Sequence, residues 1–486
     1  MLLREKTRIC STNHNETNFT NIYFYLAILL CIIGCTTENP NTTVLSNLNV
    51  IDIKSGNIAY HQDLWIVNGH IQKLTPHRDK LSKQDRVIDC SGKYVIPALW
   101  DMHAHTASFD WVPKLLIANG VLGIRELDGN GKLYHLQQRK NGVYKGLEFY
   151  CSGNTIEGDG PHGMDLGLDH IFAPEEGRQE VRRQKDLGFD FIKTRLGLSR
   201  ETFFAIADEC QKLNIPMAAH LSLSVTHEEA INAGVVSIEH TVALQEALKN
   251  KDELAHRIEK RDSTFFTSEG IFNVPKYYAQ FLDSLNSHAY SKIPRITSSG
   301  NTWFCPTLVM WRGWAGNDTL SYHPDKNKYI QKDELESWYA INDTANPEEI
   351  VIPDDEYKEV ASRLFNEILK VIKPMNDAGT HFLAGTDYIT PFIYPGYDLH
   401  DELQLFVAAG LTPLEALQTA TINPAIFLNR MHDLGTVEKG KIANLVLLDK
   451  NPLENIENTE TIFMVIQHGN IYDKERITLI LNSINN

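Results

Sequence analysis

The sequence predicts an α/β protein built as a β/α barrel with a small sheet domain, and three observations carry that prediction. Between the two ends of the chain, apolar runs of strand length alternate with stretches of helical periodicity, the pattern of parallel strands with covering helices. The alternation extends over roughly three hundred residues, which suits a barrel with insertions better than an open sheet. Both ends of the 486-residue chain are instead short strands and tight turns. Neither end has enough apolar surface for its own core, so the two are expected to assemble into one small domain.

In chain order, Leu48–Ile53 and Asp63–Val67 read as strands around the turn Ser55-Gly56-Asn57, and Asn68-Gly69 is a hairpin turn before His70–Leu74. Tyr94–Ala98 reads as a buried strand leading into Leu99-Trp100-Asp101-Met102-His103-Ala104-His105. Val112–Asn119 reads as a helix closed by Gly120, and Gly123–Leu127 as the next strand. A helix over Glu180–Leu187 precedes the strand Phe189–Thr194. Ser199 caps a helix that leads to the strand Pro216–His220, and Thr226 with Glu229 forms a capping box before Val235–His240. Thr302–Met310 reads as a strand, and a helix from Asp354 to about Ile372 stops short of Pro374. Gly379–Asp387 reads as a strand ending on a carboxylate, and Thr412-Pro413 opens a well-capped helix. Gly440–Asp449 and Thr461–Tyr472 return to strand texture. The partition expected is a leader and tether over 1–43, the small domain in two parts over 44–96 and 431–486, and the barrel over 97–430.

A formal charge of −16 argues against a nucleic-acid partner, which calls for a basic surface. The apolar run Ile22–Gly34 is shorter than the roughly 20 residues of a membrane-spanning helix and suits a signal-peptide core. Arg4, Lys6 and Arg8 precede it, and Ile32-Ile33-Gly34-Cys35 resembles a bacterial lipoprotein processing site with Cys35 as the lipidated residue. The expected location is therefore exported and membrane-anchored through lipid, facing the periplasm or exterior; a cleaved, secreted form is the alternative. Cys90, Cys151, Cys210 and Cys305 are scattered without a Cys-x-x-Cys, which is the usage of buried free thiols.

The chemistry-bearing residues fall at strand ends. On a strand, residues two apart point to one side, so His103 and His105 present two imidazoles together. Alone, such a pair in a chain with 19 histidines is as readily two half-exposed strand residues. Lys193, His220, His240 and Asp387, however, also end predicted strands. In a β/α barrel all the strand C-termini open on one face, where active sites are built. Their convergence there favours a transition-metal site, with zinc the usual tenant.

These motifs resemble those of the amidohydrolase superfamily, in particular its imidazolonepropionase-like and Xaa-Pro-dipeptidase-like branch. The resemblance rests on Asp101-Met102-His103-Ala104-His105, Ala118–Arg125, Gly188–Lys193, Ser237-Ile238-Glu239-His240, Ala384-Gly385-Thr386-Asp387 and Gly435–Val446. It covers nearly the whole chain after the leader. Asn444 is a departure, standing where many relatives carry Asp. The resemblance implies a (β/α)8 TIM barrel with a small β-sandwich domain built from both chain ends. It implies two divalent metal ions, zinc by preference, with His103, His105 and Asp387 on the more buried one and His220 and His240 on the other. Lys193 would bridge them as a carbamate, since a bare ammonium beside two cations would be repelled; with Lys193 unmodified, one metal is expected.

The function expected is hydrolysis of a C–N bond in an amide, dipeptide or cyclic amide by a metal-activated water, with Asp387 shuttling the proton. Candidates for gripping the substrate are His162, Arg125, Arg195, Tyr388 and Tyr394, an arginine holding a carboxylate bidentately. Rival readings are a lactonase or phosphotriesterase, a mononuclear deaminase, and a non-catalytic binding lipoprotein. Leu221-Ser222-Leu223-Ser224 after His220 lacks the glutamate that deaminases of this kind usually place there. The partner expected is a small-molecule or dipeptide substrate; an oligomer is compatible with the sequence.

Overall fold

A computed structural model describes residues 42–78, 86–105, 111–127, 147–158, 171, 173–222, 224–251, 274–315, 324–340, 355–388 and 390–484. The leader, Cys35 included, lies outside the described residues. Among the described residues no helix is long and apolar enough to cross a membrane.

The strands in chain order begin with β1 (Thr42–Ile51), β2 (Ile58–Val67), β3 (His70–Pro76), β4 (Arg86–Asp89) and β5 (Tyr94–Pro97). Short parallel strands follow: β6 (Leu99–Ala104), β7 (Val121–Glu126), β8 (Glu148–Cys151), β9 (Ile192–Thr194), β10 (Met217–His220), β11 (Ser237–Glu239), β12 (Trp303–Cys305) and β13 (His381–Phe382). The last are β14 (Leu445–Leu448), β15 (Ile462–Gln467) and β16 (Asn470–Asp473).

Both chain ends share one eight-stranded sheet in the order β16-β15-β14-β5-β1-β2-β3, with β4 beside β1. The apolar run of β14 explains how this sheet is fixed. Leu445 and Leu447 face a cluster with Leu45, Leu64 and Val95, while Val446 and Leu448 face the opposite way, into the main core of the molecule. A strand buried on both faces needs a continuous apolar run, and Leu-Val-Leu-Leu supplies it. Asn47 adopts a left-handed φ of 59° at a break in the β1–β2 register. On its two sides β1 changes neighbour, from β4 over Thr43–Ser46 to β5 over Asn49–Val50. Asn444 accepts the His468 N–H at 2.8 Å through its side-chain oxygen.

The parallel strands form two groups, β6-β7-β8 and β9 through β13, each with neighbours in chain order. Parallel bridges between Ser152 and Phe191 and between Ala104 and Tyr388 join the groups at both ends, a TIM-barrel-like α/β arrangement. The connecting helices begin where the capping chemistry places them. Ser199 accepts from Thr202 N at the head of Arg200–Leu213, and capping boxes open His227–Asn232 and Pro413–Thr419.

Three expectations are corrected. The strand at Tyr94 does not carry the histidine pair: β5 pairs with β1 and β14 in the small sheet, and the chain crosses at Pro97-Ala98 to a separate strand, β6. Thr302–Met310 is not one strand, because after β12 the chain turns at Pro306 and at Thr307, whose φ is 47°, and becomes the helix Leu308–Trp314. The long helix runs past Pro374, over Asp355–Asp377. A proline so close to the C-terminus costs only one late hydrogen bond, and the buried Ile368, Val371, Ile372 and Met375 hold the helix together around it. Cys90, Cys151, Cys210 and Cys305 are free and buried, as expected.

Arg200 clasps the capping box at the head of His227–Asn232, donating to Glu229 Oε2 at 2.9 Å and, through its other amine, to Oε1. This lowers the Glu229 carboxyl from 4.5 to about 2. A depressed folded-state value stabilises the fold above pH 4.5 and loses that effect as pH falls through 2. Arg200 is open to solvent, so Glu229→Gln is expected to cost only about 1 kcal/mol. Thermal melts should show the gap between variant and wild type widest at neutral pH and closing on the acid side; a gap independent of pH would contradict the ion pair.

Candidate metal centre

Six side chains expected at strand ends do come together at one face. His103 is on β6 and His105 just beyond it, Lys193 is on β9, and His220 ends β10. His240 follows β11, and Asp387 follows β13. Asp387 Oδ1 lies 3.1 Å from His103 Nε2 and 3.0 Å from His105 Nε2, and Oδ2 lies 3.9 Å from His240 Nδ1. The His103 and His240 rings are 4.4 Å apart between centroids, as are those of His220 and His240. His103, His240 and Asp387 form one tight group of potential ligand atoms, all within 4.8 Å of one another. His240 therefore stands as close to the inner pair as to His220, the partner expected for it.

The backbone is specialised at these positions. His240 and Asp387 both adopt left-handed φ values, 64° and 61°, as does Thr307 at 47°. For residues with a Cβ that conformation is uncommon, though Asp and His tolerate it better than most. His240 is further held by Thr307, whose hydroxyl lies 2.9 Å from Nδ1, and by Trp311, whose indole donates to its carbonyl at 2.7 Å.

Electrostatics favour a cation here. Burial alone would raise the Asp387 carboxyl, but the imidazoles of His240, His103 and His105 hold it well below the ordinary carboxylate range. Burial lowers His103 and His240 from the ordinary imidazole value, and the adjacent Asp387 opposes that shift. Burial also pushes Lys193 down to about 8, against the pull of Glu239 and Asp387. The residues fit a divalent metal: His103 Nε2 is enclosed with no hydrogen-bond partner among the described residues, and imidazoles with a carboxylate are a usual zinc donor set.

Beneath the ligands lies a layer that sequence reasoning missed. Glu239 Oε2 lies 2.8 Å from His103 Nδ1, and both Glu239 oxygens accept from Arg125 Nη2, at 2.9 and 2.8 Å. The signal was present: in Ser237-Ile238-Glu239 two polar residues alternate with Ile on a buried strand, so both point to the same side. Asp101 similarly ties β6 to the Asp387 segment, accepting from Thr386 N at 3.0 Å and from its hydroxyl at 2.6 Å.

The residues considered for substrate contact divide. Arg125 is corrected: it is fully buried, and its guanidinium is occupied by Glu239, the Ser237 hydroxyl and the Met102 carbonyl, so it has nothing to offer a substrate carboxylate. Arg195 is partly exposed beside Glu157, with Nε 3.7 Å from Oε2. Tyr388 is enclosed, at 1% exposure; its backbone carbonyl accepts from His105 N, and its hydroxyl has no hydrogen-bond partner among the described residues. Tyr394 is buried and donates to Asn327 at 2.7 Å. His162 lies outside the described residues.

Fold and site together define an α/β protein with a candidate metal centre at the ends of its parallel strands. The sequence profile of the Amidohydrolase family matches residues 338–472. An imidazolonepropionase of Thermoplasma volcanium is 24% identical over 433 residues, covering 85% of this chain and 91% of the relative. Among solved structures, a Xaa-Pro dipeptidase with bound methionine superposes with a TM-score of 0.60 at 19% identity, covering 89% of this chain and all of that one. A bottromycin amidohydrolase does so with a TM-score of 0.68 at 20% identity, over 92% of this chain and 91% of that one. These similarities, a family-profile match over the C-terminal part and a distant likeness over most of the chain, support an amidohydrolase superfamily member.

Gly385 shows how closely the strands approach at the site. A Cβ there would lie 2.6 Å from Cys305 Sγ and 2.6 Å from His103 N and Cβ. Gly385→Ala is expected to destabilise the protein by about 1–3 kcal/mol, the range for an overpacked core. A urea midpoint unchanged from wild type would show that β6 can give way.

Proposed function

We propose that this protein is a metal-dependent hydrolase that cleaves a C–N bond in a small amide, dipeptide or cyclic amide. The observation that carries the reading is Asp387, a partly exposed carboxylate shared between His103 and His105 at 3.1 and 3.0 Å, with His240 beside it. The similarity to an imidazolonepropionase and to prolidase-like structures supports a hydrolase of C–N bonds. The scaffold proposed is a closed (β/α)8 barrel flanked by a β-sandwich from both chain ends.

His103, His105 and Asp387, with His220 and His240, would hold one or two divalent ions, zinc by preference. Such ions, when bound, acidify the attacking water and polarise the scissile carbonyl. The chain's own part is to orient and to move a proton. The imidazoles keep Asp387 ionised and point its oxygens into the mouth. Its carboxylate takes one proton from water as the oxygen adds to the carbonyl carbon. It returns that proton to the nitrogen as the C–N bond breaks, leaving a carboxylic acid and an amine. Arg195 would hold a substrate carboxylate; its partial exposure supports this reading over Arg125, which is fully buried.

Lys193 completes the proposal. A buried amine brought down to about 8 is neutral often enough near neutral pH to add carbon dioxide, and the resulting carbamate is an anion suited to bridge two cations. For the leader we propose export and lipid attachment at Cys35, to be checked by fatty-acid labelling of wild type and Cys35→Ala.

Metal-replete protein assayed on dipeptides, N-acyl amino acids, lactams and lactones is expected to favour the C–N substrates. Preference for lactones would overturn the substrate class. A chelator should abolish turnover and added zinc restore it. Asp387→Asn is expected to lower kcat by about 10²–10⁴. Lys193→Ala should reduce bound metal and remove the carbamate resonance seen after equilibration with ¹³C-bicarbonate; wild type without that resonance would leave a single-metal site.

A further inference from the structure

The layer under the candidate metal centre carries an inference about a residue to which the proposed mechanism gives no part. Glu239 is completely enclosed on β11 and faces three groups. Its Oε1 accepts from the Ser237 hydroxyl at 2.6 Å and from Arg125 Nη2 at 2.9 Å. Its Oε2 accepts from the same Nη2 at 2.8 Å and lies 2.8 Å from His103 Nδ1. Arg125 is itself immobilised, donating from Nε to the Met102 carbonyl and from Nη1 to Ser237 Oγ at 2.7 Å. Its guanidinium also lies over the rings of Phe427 and Phe191, at 5.2 and 5.8 Å from their centroids. The carboxylate thus has no freedom to rotate away.

We infer that Glu239, clamped by Arg125 and Ser237, is a positioning residue that fixes His103 with its proton on Nδ1 and the lone pair of Nε2 aimed at the metal position. The inference rests on the metal reading of the site. Two carboxylates flank the ring: Glu239 meets Nδ1 at 2.8 Å in hydrogen-bonding geometry, whereas Asp387 Oδ1, 3.1 Å from Nε2, lies outside it. A carboxylate only accepts, so Nδ1 is the donor. A neutral imidazole has one N–H, so Nε2 is left as the lone pair, as ligation requires. Nε2 is the atom of His103 that is enclosed without a hydrogen-bond partner among the described residues.

The isosteric change Glu239→Gln inverts this logic. Arg125 and Ser237 demand an acceptor, so the amide oxygen turns to them and the amide NH₂ faces His103. Nδ1 must then accept, the proton moves to Nε2, and the lone pair needed by the metal is lost. Ser237→Ala removes one donor to Glu239 but keeps the carboxylate, and serves as the control for disturbance of the layer alone.

The test has two arms. Neutron diffraction from crystals of the metal-free wild-type protein is expected to show deuterium on His103 Nδ1, and in Glu239→Gln on Nε2. Competition with a chromophoric chelator is expected to show zinc affinity reduced by roughly 10- to 100-fold in Glu239→Gln, and less in Ser237→Ala. Because Glu239→Gln leaves the Arg125 charge unpaired, its metal-free melting temperature is expected to fall, and the deuterium position separates positioning from structural loss. Deuterium on Nε2 in wild type, or undiminished zinc affinity in Glu239→Gln, would overturn the inference. So would an affinity loss accompanied by a lowered melting temperature with the deuterium unmoved, the mark of a merely structural role. The wild-type neutron arm stands even if the variant does not fold. Wild type that takes up no zinc would overturn the metal reading instead, with the deuterium position still deciding the inference.

Discussion

The guanidinium of Arg125 and the carboxylate of Glu239, both fully enclosed, are the constraint on which the rest of the site depends. Taking two charges out of water is expensive, and attraction between them compensates only when the geometry is good and the remaining donors and acceptors are satisfied. Here the partners come from different strands, and Ser237, Met102 and His103 occupy the remaining positions. Burial alone would raise the Glu239 carboxyl, but the adjacent Arg125 charge together with His103 holds it well below the ordinary carboxylate range. The pair pins β7 to β11 and, through His103, to β6. Strand ends that must aim side chains to within a fraction of an ångström gain from such a tie, because supporting contacts decide whether a site is tight or loose.

Above that layer the strain is placed where chemistry is expected. The left-handed conformations of His240, Thr307 and Asp387 all lie just past the ends of parallel strands. Each position is over-determined by its neighbours. Asp387 N donates to the His103 carbonyl at 2.8 Å, and His240 N donates to the Cys305 carbonyl at 2.9 Å. The backbone of one strand thus holds the strained residue of the next. The same closeness explains Gly385, where the approach of β6 and Cys305 leaves no room for a side chain.

Much of this was legible in the sequence, and the omissions have a physical pattern. Lys193, His220, His240 and Asp387 could be found because each ends an apolar run, a local property. Arg125 was misread because its charge is visible in the sequence but its direction is not: its partner Glu239 lies 114 residues away. The strand read across Thr302–Met310 failed at Thr307, where a left-handed φ of 47° ends the strand direction and opens the helix Leu308–Trp314. The helix cut at Pro374 failed because buried contacts on both sides outweigh one lost hydrogen bond. Propensity marks where an element ends in isolation; packing decides whether it ends there in the fold.

The charge balance connects the two layers. Arg125 and Glu239 cancel, so the pair adds structure without adding net field to the mouth. Asp387 supplies one negative charge, and the buried Glu126 carboxylate lies 4.0 Å from His105 Nδ1 on the other side of that ring. As an ammonium, Lys193 would offset part of this negative charge; as a neutral amine it would leave it intact. Burial has brought the amine down to about 8, so a fraction of it is already uncharged near neutral pH. Had Arg125 lacked Glu239, its unpaired charge would repel a divalent ion from directly below. The sealed ion pair therefore does more than brace the strands: it offsets the charge of Arg125 directly beneath the candidate metal centre.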